Sequence, residues 1–133
     1  MEKVIVTISQ ASDGTYWCHT EEDVYGGGLN SVGASVAEAK ADLMSCLADA
    51  RADYVNRGLV PYDVEFSYQY DLQSFFDYFS FLNVSEIAKR AGINPSLMRQ
   101  YVCGMKHAGE KTYMRMSECM KEIVTELNTA AFV

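Results

Sequence analysis

The sequence lacks an apolar run long enough to cross a membrane, since a spanning helix needs about 20 predominantly apolar residues. Its first residues, Met-Glu-Lys followed by alternating Val and Ile, also lack the apolar core and the small-residue cleavage site of a signal peptide. Both absences argue against a membrane partner and against secretion. We therefore expect a cytoplasmic protein.

Cysteine is scarce and scattered: the chain has 4 cysteines, with no C-x-x-C pair and no histidine at ligand spacing. Such a pattern indicates neither a disulfide framework nor a zinc site. The adjacent carboxylates of Glu21, Glu22 and Asp23 point in different directions, so they do not predict a metal site either. The glycines at 26–28 lack the Lys-Ser/Thr pair of a phosphate-binding loop. We expect no metal ion and no cofactor.

Basic side chains are rare in the first two thirds of the chain. Residues 1–82 hold four Lys or Arg against thirteen Asp or Glu, a formal charge of −9. Residues 83–133 hold seven Lys or Arg against five Glu, a formal charge of +2. This asymmetry predicts two modules with different partners. The acidic part repels nucleic acid, and the other part tolerates it.

The first 70 residues predict an α+β module. Strand patterns over 3–9, 16–18 and 29–33 are separated by turn residues and predict a three-stranded meander. A capping box then begins a helix over 36–57. Strict alternation over 64–70 predicts a half-buried strand whose aromatic side packs on that helix. The order is β-β-β-α-β, and we place this domain at 1–70.

A second domain is expected over 71–133. Asp71 can cap a helix with a phenylalanine-rich stripe (Phe75, Phe76 and Phe79), which we assign to the core of this domain, together with the last helix. Cys103 and Cys119 fall at apolar positions of predicted helices.

Two short helices follow. Asn83 caps the first, with Glu86 placed to complete a capping box, and Gly92 ends it. Asn94 caps the second, and Gly104 ends it. The capping residues, the helix-ending glycine and the apolar spacing all indicate two short helices that cross at a steep angle. This pattern predicts a helix-turn-helix.

The last helix, about 110–128, carries apolar residues at helical spacing. We expect its first half to pack in the core. For the exposed remainder at Ile123, Val124, Leu127 and Phe132, two interpretations stay open, a dimer interface and further core packing.

Two parts of the chain resemble known families. The paired helices resemble the helix-turn-helix of phage repressors, in the segments Ile87-Ala88-x-x-Ala91-Gly92-Ile93-Asn94 and Tyr101-x-x-Gly104-x-Lys106. The N-terminal part resembles the HicB family of antitoxins, in the segments Asp13-Gly14-x-Tyr16, Tyr25-Gly26 and Gly33-x-Ser35-Val36-x-Glu38-Ala39. The resemblance implies a partial RNase H-like fold without catalytic carboxylates. It also implies binding to a small basic, RNA-cleaving, HicA-like toxin, and repression of the encoding operon.

Within the second helix of the pair, the polar side chains point away from the apolar ones. Ser96, Arg99 and Gln100 are expected to read base edges in operator DNA, because Arg and Gln pair bidentately with guanine and adenine. Asn94 and Lys106 are expected to contact phosphates. The alternative is a solvated helix face. A module with a formal charge of +2 binds DNA weakly by itself. We therefore expect a homodimer and leave a tetramer open.

In the acidic module, the expected partner-binding residues are Glu21, Glu22, Asp23 and Tyr25. The charge of this module should accelerate encounter with a basic toxin. An alternative function is an RNA-binding module that uses the strand at 64–70 as a stacking platform. A third, an RNase H-like nuclease, needs convergent carboxylates for two metals, and no strand supplies them. We therefore expect no enzymatic activity and no catalytic residues.

Overall fold

A computed structural model describes residues 1–133 and divides the chain into two compact units, residues 1–78 and 79–133. The first contains β1 (Glu2–Gln10), β2 (Tyr16–Thr20), β3 (Asn30–Gly33), α1 (Val36–Asn56), β4 (Val64–Tyr70) and α2 (Leu72–Tyr78). The second contains α3 (Val84–Ala91), α4 (Pro95–Val102) and α5 (Glu110–Asn128). The predicted α+β class and the β-β-β-α-β order are confirmed. None of the five helices combines the length and apolar character of a membrane span.

The first unit is built on a four-stranded mixed sheet with the order β3-β2-β1-β4. Strands β1, β2 and β3 form the predicted antiparallel meander, with Ile8 opposite Cys18 and Trp17 opposite Val32. Strand β4 lies parallel to β1 on its other side, with Val6 opposite Tyr68. A parallel neighbour needs a long crossover, which α1 provides.

Helix α1 covers one face of this sheet. Val6 and Ile8 of β1 pack with Ala39 and Leu43 of α1, and all four are fully buried. Phe66, Tyr68 and Tyr70 of β4 are half-buried and pack against the same cluster. The predicted half-buried strand with its aromatic side on the helix is therefore confirmed.

Lys40 of α1 is enclosed by tyrosines. Its Nζ lies 3.5 Å from the ring centroid of Tyr78 and 4.1 Å from that of Tyr68, and it donates a 2.7 Å hydrogen bond to the hydroxyl of Tyr70. Burial lowers the pKa of this amine, while the ring faces favour its charged form. The contact joins α1, β4 and α2.

Helix α2 belongs to the first unit, so the domain boundary lies between Tyr78 and Phe79, eight residues beyond the expected one. Two carboxylates explain its position. Asp71 accepts hydrogen bonds from the backbone N–H of Ser74 at 2.8 Å and of Gln10 at 2.9 Å. Asp77 accepts from the backbone N–H of Val36 at 2.9 Å. Backbone groups of β1 and α1 thus hold the helix on the sheet, and its phenylalanine stripe alone could not indicate this.

In the second unit, α3 and α4 are joined by the turn at 92–94. The Asn83 side chain caps α3 by accepting from Glu86 N–H at 3.1 Å, as predicted. The Glu86 carboxylate does not close the capping box and instead binds Lys89 at 3.1 Å. Gly92 has φ +75°, a left-handed conformation that suits glycine and ends α3.

The core of the second unit is small. Its buried apolar side chains come from α3, the turn, α4 and α5, and they are Ile87, Ala88, Ile93, Met98, Met116 and Cys119. Cys119 is buried as its apolar position predicts. Cys103 is exposed, because it lies after the last turn of α4 and caps that helix. All four cysteines of the chain are free thiols.

Candidate functional site

The exposed face of α4 presents Arg99 at the surface of the second unit. Met98 beside it is fully buried and anchors α4 to the rest of the unit. The turn at Gly92 allows α4 to change direction directly after α3. Since neighbouring residues on a helix point about 100° apart, burying Met98 places Arg99 away from the core.

The guanidinium of Arg99 is held by two hydroxyls. Its Nη1 donates a 2.9 Å hydrogen bond to Oγ of Ser85 in α3, and its Nη2 donates a 3.1 Å hydrogen bond to Oγ of Ser96 in α4. The side chain therefore bridges the two helices. A guanidinium has five N–H donors, so several stay available for a ligand.

Asn94 and Ser96 lie at the start of α4, and both are exposed. The Asn94 side-chain oxygen accepts from the backbone N–H groups of Ser96 at 2.9 Å and Leu97 at 3.3 Å. This oxygen is therefore committed to capping the helix, and only the amide NH₂ of Asn94 is left to donate to a phosphate.

Gln100 and Lys106 lie at the other end of α4. Gln100 is half-buried, and its backbone carbonyl accepts from the N–H groups of Met105 at 2.9 Å and Lys106 at 3.2 Å. These bonds fold the chain back after α4 and keep Lys106 close to the helix end. The Lys106 side chain is exposed. The predicted DNA-contacting residues thus all belong to α4 or its immediate ends.

Two further polar residues contact this region and were absent from the predicted set. Ser85 binds Arg99, and Arg115 of α5 donates a 3.3 Å hydrogen bond from Nη1 to the carbonyl oxygen of Gly92 in the turn. Each contact joins residues far apart in the chain, and no local sequence pattern signals either pairing.

In the first unit, the acidic segment after β2 is exposed at Glu21, Glu22 and Asp23. Glu21 is held in place: its Oε1 accepts a hydrogen bond from the Thr7 hydroxyl and lies 3.0 Å from Nε2 of His19. The Thr7 hydrogen bond, aided by His19, holds the pKa of Glu21 below its usual range. This keeps the Glu21 carboxylate ionised.

Tyr25 lies in the core and not on the expected partner-contacting surface. It is 5% exposed, its ring packs 5.3 Å from Tyr54 and 4.7 Å from Tyr62, and its hydroxyl donates to the carbonyl of Tyr62. Aromatic burial outweighs the strain of its positive φ of 53°. Of the predicted partner-binding set, the three carboxylates are therefore at the surface and the tyrosine is not.

The aromatic strand β4 does not offer an open stacking platform. The rings of Phe66, Tyr68 and Tyr70 lie on the face covered by α1, and the Lys40 amine occupies the faces of two of them.

The only tryptophan, Trp17, is 42% exposed, and its cross-strand partner Val32 is 39% exposed. No group of three or more His, Cys, Asp or Glu side chains is placed to hold a metal ion.

The carboxyl-terminal half of α5 exposes apolar surface. Val124 is 53% exposed and Leu127 is 65% exposed, with Phe132 beyond the helix fully exposed and Ile123 half-buried. The interpretation of Val124, Leu127 and Phe132 as core residues of this chain is therefore wrong.

We compared the chain with family models, with curated proteins and with solved structures, and none of the three comparisons found a match.

Proposed function

We propose that this protein is an antitoxin-like transcriptional regulator. The second unit binds operator DNA through a helix-turn-helix formed by α3 and α4, and the first unit binds a small basic protein, a toxin of the HicA type. The observation that carries the proposal is the exposed Arg99 on α4, held by hydroxyls from both helices of the pair.

Three features of α4 and its ends suit a duplex groove. Arg99 can pair bidentately with a guanine edge, Gln100 with an adenine edge, and the Lys106 ammonium can neutralise a phosphate. Ser96 and the amide of Asn94 add donors at the start of the helix. The two units carry formal charges of −9 and +2, so the acidic unit stays away from DNA while the other approaches it.

A homodimer completes the DNA interface in this proposal. One unit offers few cationic contacts, and two half-sites double them. The exposed Val124 and Leu127 of α5 supply an apolar surface for a second copy. Sedimentation should give a dimer for the wild type and a monomer for Val124→Asp/Leu127→Asp. Met44→Asp, at another exposed apolar position, is the matched control and should stay dimeric.

A gel-shift assay on the duplex upstream of the protein's own gene tests the DNA half. Arg99→Ala/Gln100→Ala should weaken binding by about 1–3 kcal/mol for each bidentate base interaction that the substitution removes. Arg51→Ala removes an exposed arginine of the first unit and should bind like the wild type. Equal binding by the double variant would refute the residue assignment, and no binding by the wild type would refute DNA recognition itself.

Lys106→Ala separates phosphate contact from base contact. It should weaken binding to all duplexes about equally and reduce the slope of log K against log salt by about 1. A change confined to one sequence would contradict a phosphate role.

Purification with the product of the neighbouring reading frame tests whether the first unit binds a small basic protein. The acidic segment should steer a basic partner, so Glu22→Lys/Asp23→Lys should slow association, more so at low salt. Glu110→Lys, in the second unit, is the control and should associate normally. Absence of co-purification with the wild-type protein would count against a toxin partner.

The RNA-binding alternative is less well supported, because α1 covers the aromatic face of β4. A preference of the purified protein for single-stranded RNA over duplex DNA would reverse this order.

A further inference from the structure

Ser85 is the one residue of α3 that binds the side chain of Arg99. It lies in the first turn of α3, is half-buried, and its Oγ accepts from Nη1 of Arg99 at 2.9 Å. Ser96 accepts from Nη2 of the same group at 3.1 Å. The two terminal nitrogens of one guanidinium are thus anchored to two different helices.

Two anchors fix more than the position of a guanidinium. The group is planar and rigid, so holding both terminal nitrogens also fixes the orientation of its plane. A bidentate contact with a guanine edge requires the plane of the fork to align with the plane of the base. A phosphate contact has no such requirement, because phosphate oxygens accept from many directions.

The two serines differ in what they fix. Ser96 lies three residues before Arg99 on the same helix, so this bond holds the guanidinium only relative to α4. Ser85 lies on the other helix, and its bond sets the guanidinium relative to the α3–α4 pair. An arginine without the Ser85 anchor regains rotamers in which it contacts phosphates and no longer faces a base.

We infer that Ser85 is a specificity-determining positioning residue, which holds Arg99 in the plane needed to read a guanine in duplex DNA. The inference rests on the proposed DNA-binding function. Ser85 acts through Arg99, and its hydroxyl is the functional group. Loss of that hydroxyl weakens the preference for guanine at one position of the binding site and leaves sequence-independent affinity unchanged.

The test is selection from duplexes with about 20 randomised base pairs, long enough for two half-sites. Full-length wild type, Ser85→Ala, Ser85→Thr and Arg99→Ala are compared, with Ser117→Ala as the control for loss of an exposed serine hydroxyl. Arg99→Ala identifies the position that Arg99 reads. Ser85→Ala should lower guanine preference there by roughly three- to tenfold, the effect of freeing one immobilised side chain. Ser85→Thr keeps a hydroxyl and should restore the preference.

The outcomes separate the two proposals. An unchanged guanine preference in Ser85→Ala would overturn the role of Ser85 and leave DNA binding standing. Equal weakening on all sequences would also overturn it, because it would indicate a phosphate contact by Ser85 itself. If the wild type enriches no sequence and retains no duplex, the DNA-binding proposal fails, and the Ser85 inference fails with it.

A measurement without DNA tests the anchor directly. In the free protein, NMR relaxation of the Arg99 Nε–H group should show a more ordered side chain than exposed Arg51. Ser85→Ala should reduce that order, and Ser85→Thr should restore it. An Arg99 side chain as mobile in the wild type as in Ser85→Ala would refute positioning by Ser85.

Discussion

The two units of this chain use charged side chains for different purposes. In the first unit, Asp71 and Asp77 accept hydrogen bonds from backbone N–H groups, and Lys40 lies against tyrosine rings. Those charges join secondary-structure elements of one unit. In the second unit, Arg99 and Lys106 are exposed around α4. Arg99 also joins two helices, through Ser85 and Ser96, but its guanidinium is exposed and has further N–H donors. The difference shows that formal charge alone does not identify an interaction surface, because only a charged group that stays exposed can bind a partner.

The units also differ in their cores. The first packs α1 on a four-stranded sheet, and one buried cluster joins Val6 and Ile8 of β1 to Ala39 and Leu43 of α1. The second encloses few side chains and leaves Val124 and Leu127 of α5 exposed. A unit of 55 residues with so small a core is near the limit for independent folding, so the apolar surface of α5 suits association.

The largest expected loss of stability comes from creating a cavity in the core of the first unit. Leu43 is fully buried, and Leu43→Ala should lower the free energy of unfolding of the first unit by about 2–5 kcal/mol, because less apolar surface is buried and a cavity is left behind. Urea unfolding followed by fluorescence of Trp17, the only tryptophan, reports this unit. Met44→Ala, at a half-exposed neighbour, should change stability by less than about 0.5 kcal/mol. Equal effects of the two variants would contradict the observed packing.

The next largest loss of stability is expected where β3 approaches α1 closely. A Cβ on Gly33 would lie 2.5 Å from the backbone nitrogen of Ala39, a distance that forces the backbone to move. Gly33→Ala should therefore destabilise the first unit by about 1–3 kcal/mol in the same assay. Gly27→Ala is the matched control, since a Cβ there has open space. A neutral Gly33→Ala would show that the strand and the helix can separate at little cost.

A smaller effect is expected in the second unit at its turn. Gly92 has φ +75°, and any side chain there is strained, so Gly92→Ala should cost about 1–2 kcal/mol. Thermal unfolding followed by helical circular dichroism measures it. Because the turn directs α4, the proposed DNA binding should weaken in parallel, while the Trp17 signal of the first unit stays unchanged. A shift in the Trp17 transition would indicate that the units unfold together.

The smallest effect is a pH dependence confined to the first unit. Burial raises the pKa of Tyr70 from its ordinary 10.0 to about 12. The unfolded tyrosine therefore loses its proton first as the pH rises, so this contribution to stability is complete below pH 10 and declines between pH 10 and 12. Urea unfolding across this range should show the decline in the wild type and a smaller slope in Tyr70→Phe. If stability declines with pH equally in both proteins, groups other than Tyr70 cause the loss of stability at alkaline pH.

Local patterns in the sequence predict much of the fold. Alternation in β1 and β4, the Ser35 cap of α1, and the caps of α3 and α4 concern residues close together in the chain, and all are present in the structure. Such features depend on backbone geometry and nearby side chains, which the sequence displays directly.

The remaining features depend on distant residues. The phenylalanine stripe of α2 predicts a packed helix but cannot show which unit it packs on, and the answer lies in backbone N–H groups of Gln10 and Val36. Tyr25 in an acidic, glycine-rich segment has the character of a surface residue, yet Tyr54 and Tyr62 enclose it. At the candidate site, α4 could be predicted from its caps, but the Ser85–Arg99 bond spans fourteen positions and requires the crossing of two helices.

The length of α1 has a consequence for how this fold can vary. Its 21 residues extend about 31 Å, whereas the seven residues of β4 extend about 23 Å, so the helix is longer than the strand it covers. Its far end, at Leu47 and Tyr54, packs in a second cluster that includes the segment around Tyr25. Deleting one residue between Leu47 and Tyr54 would turn Tyr54 by about 100° away from that segment. Such a deletion would therefore remove the contact between the rings of Tyr54 and Tyr25.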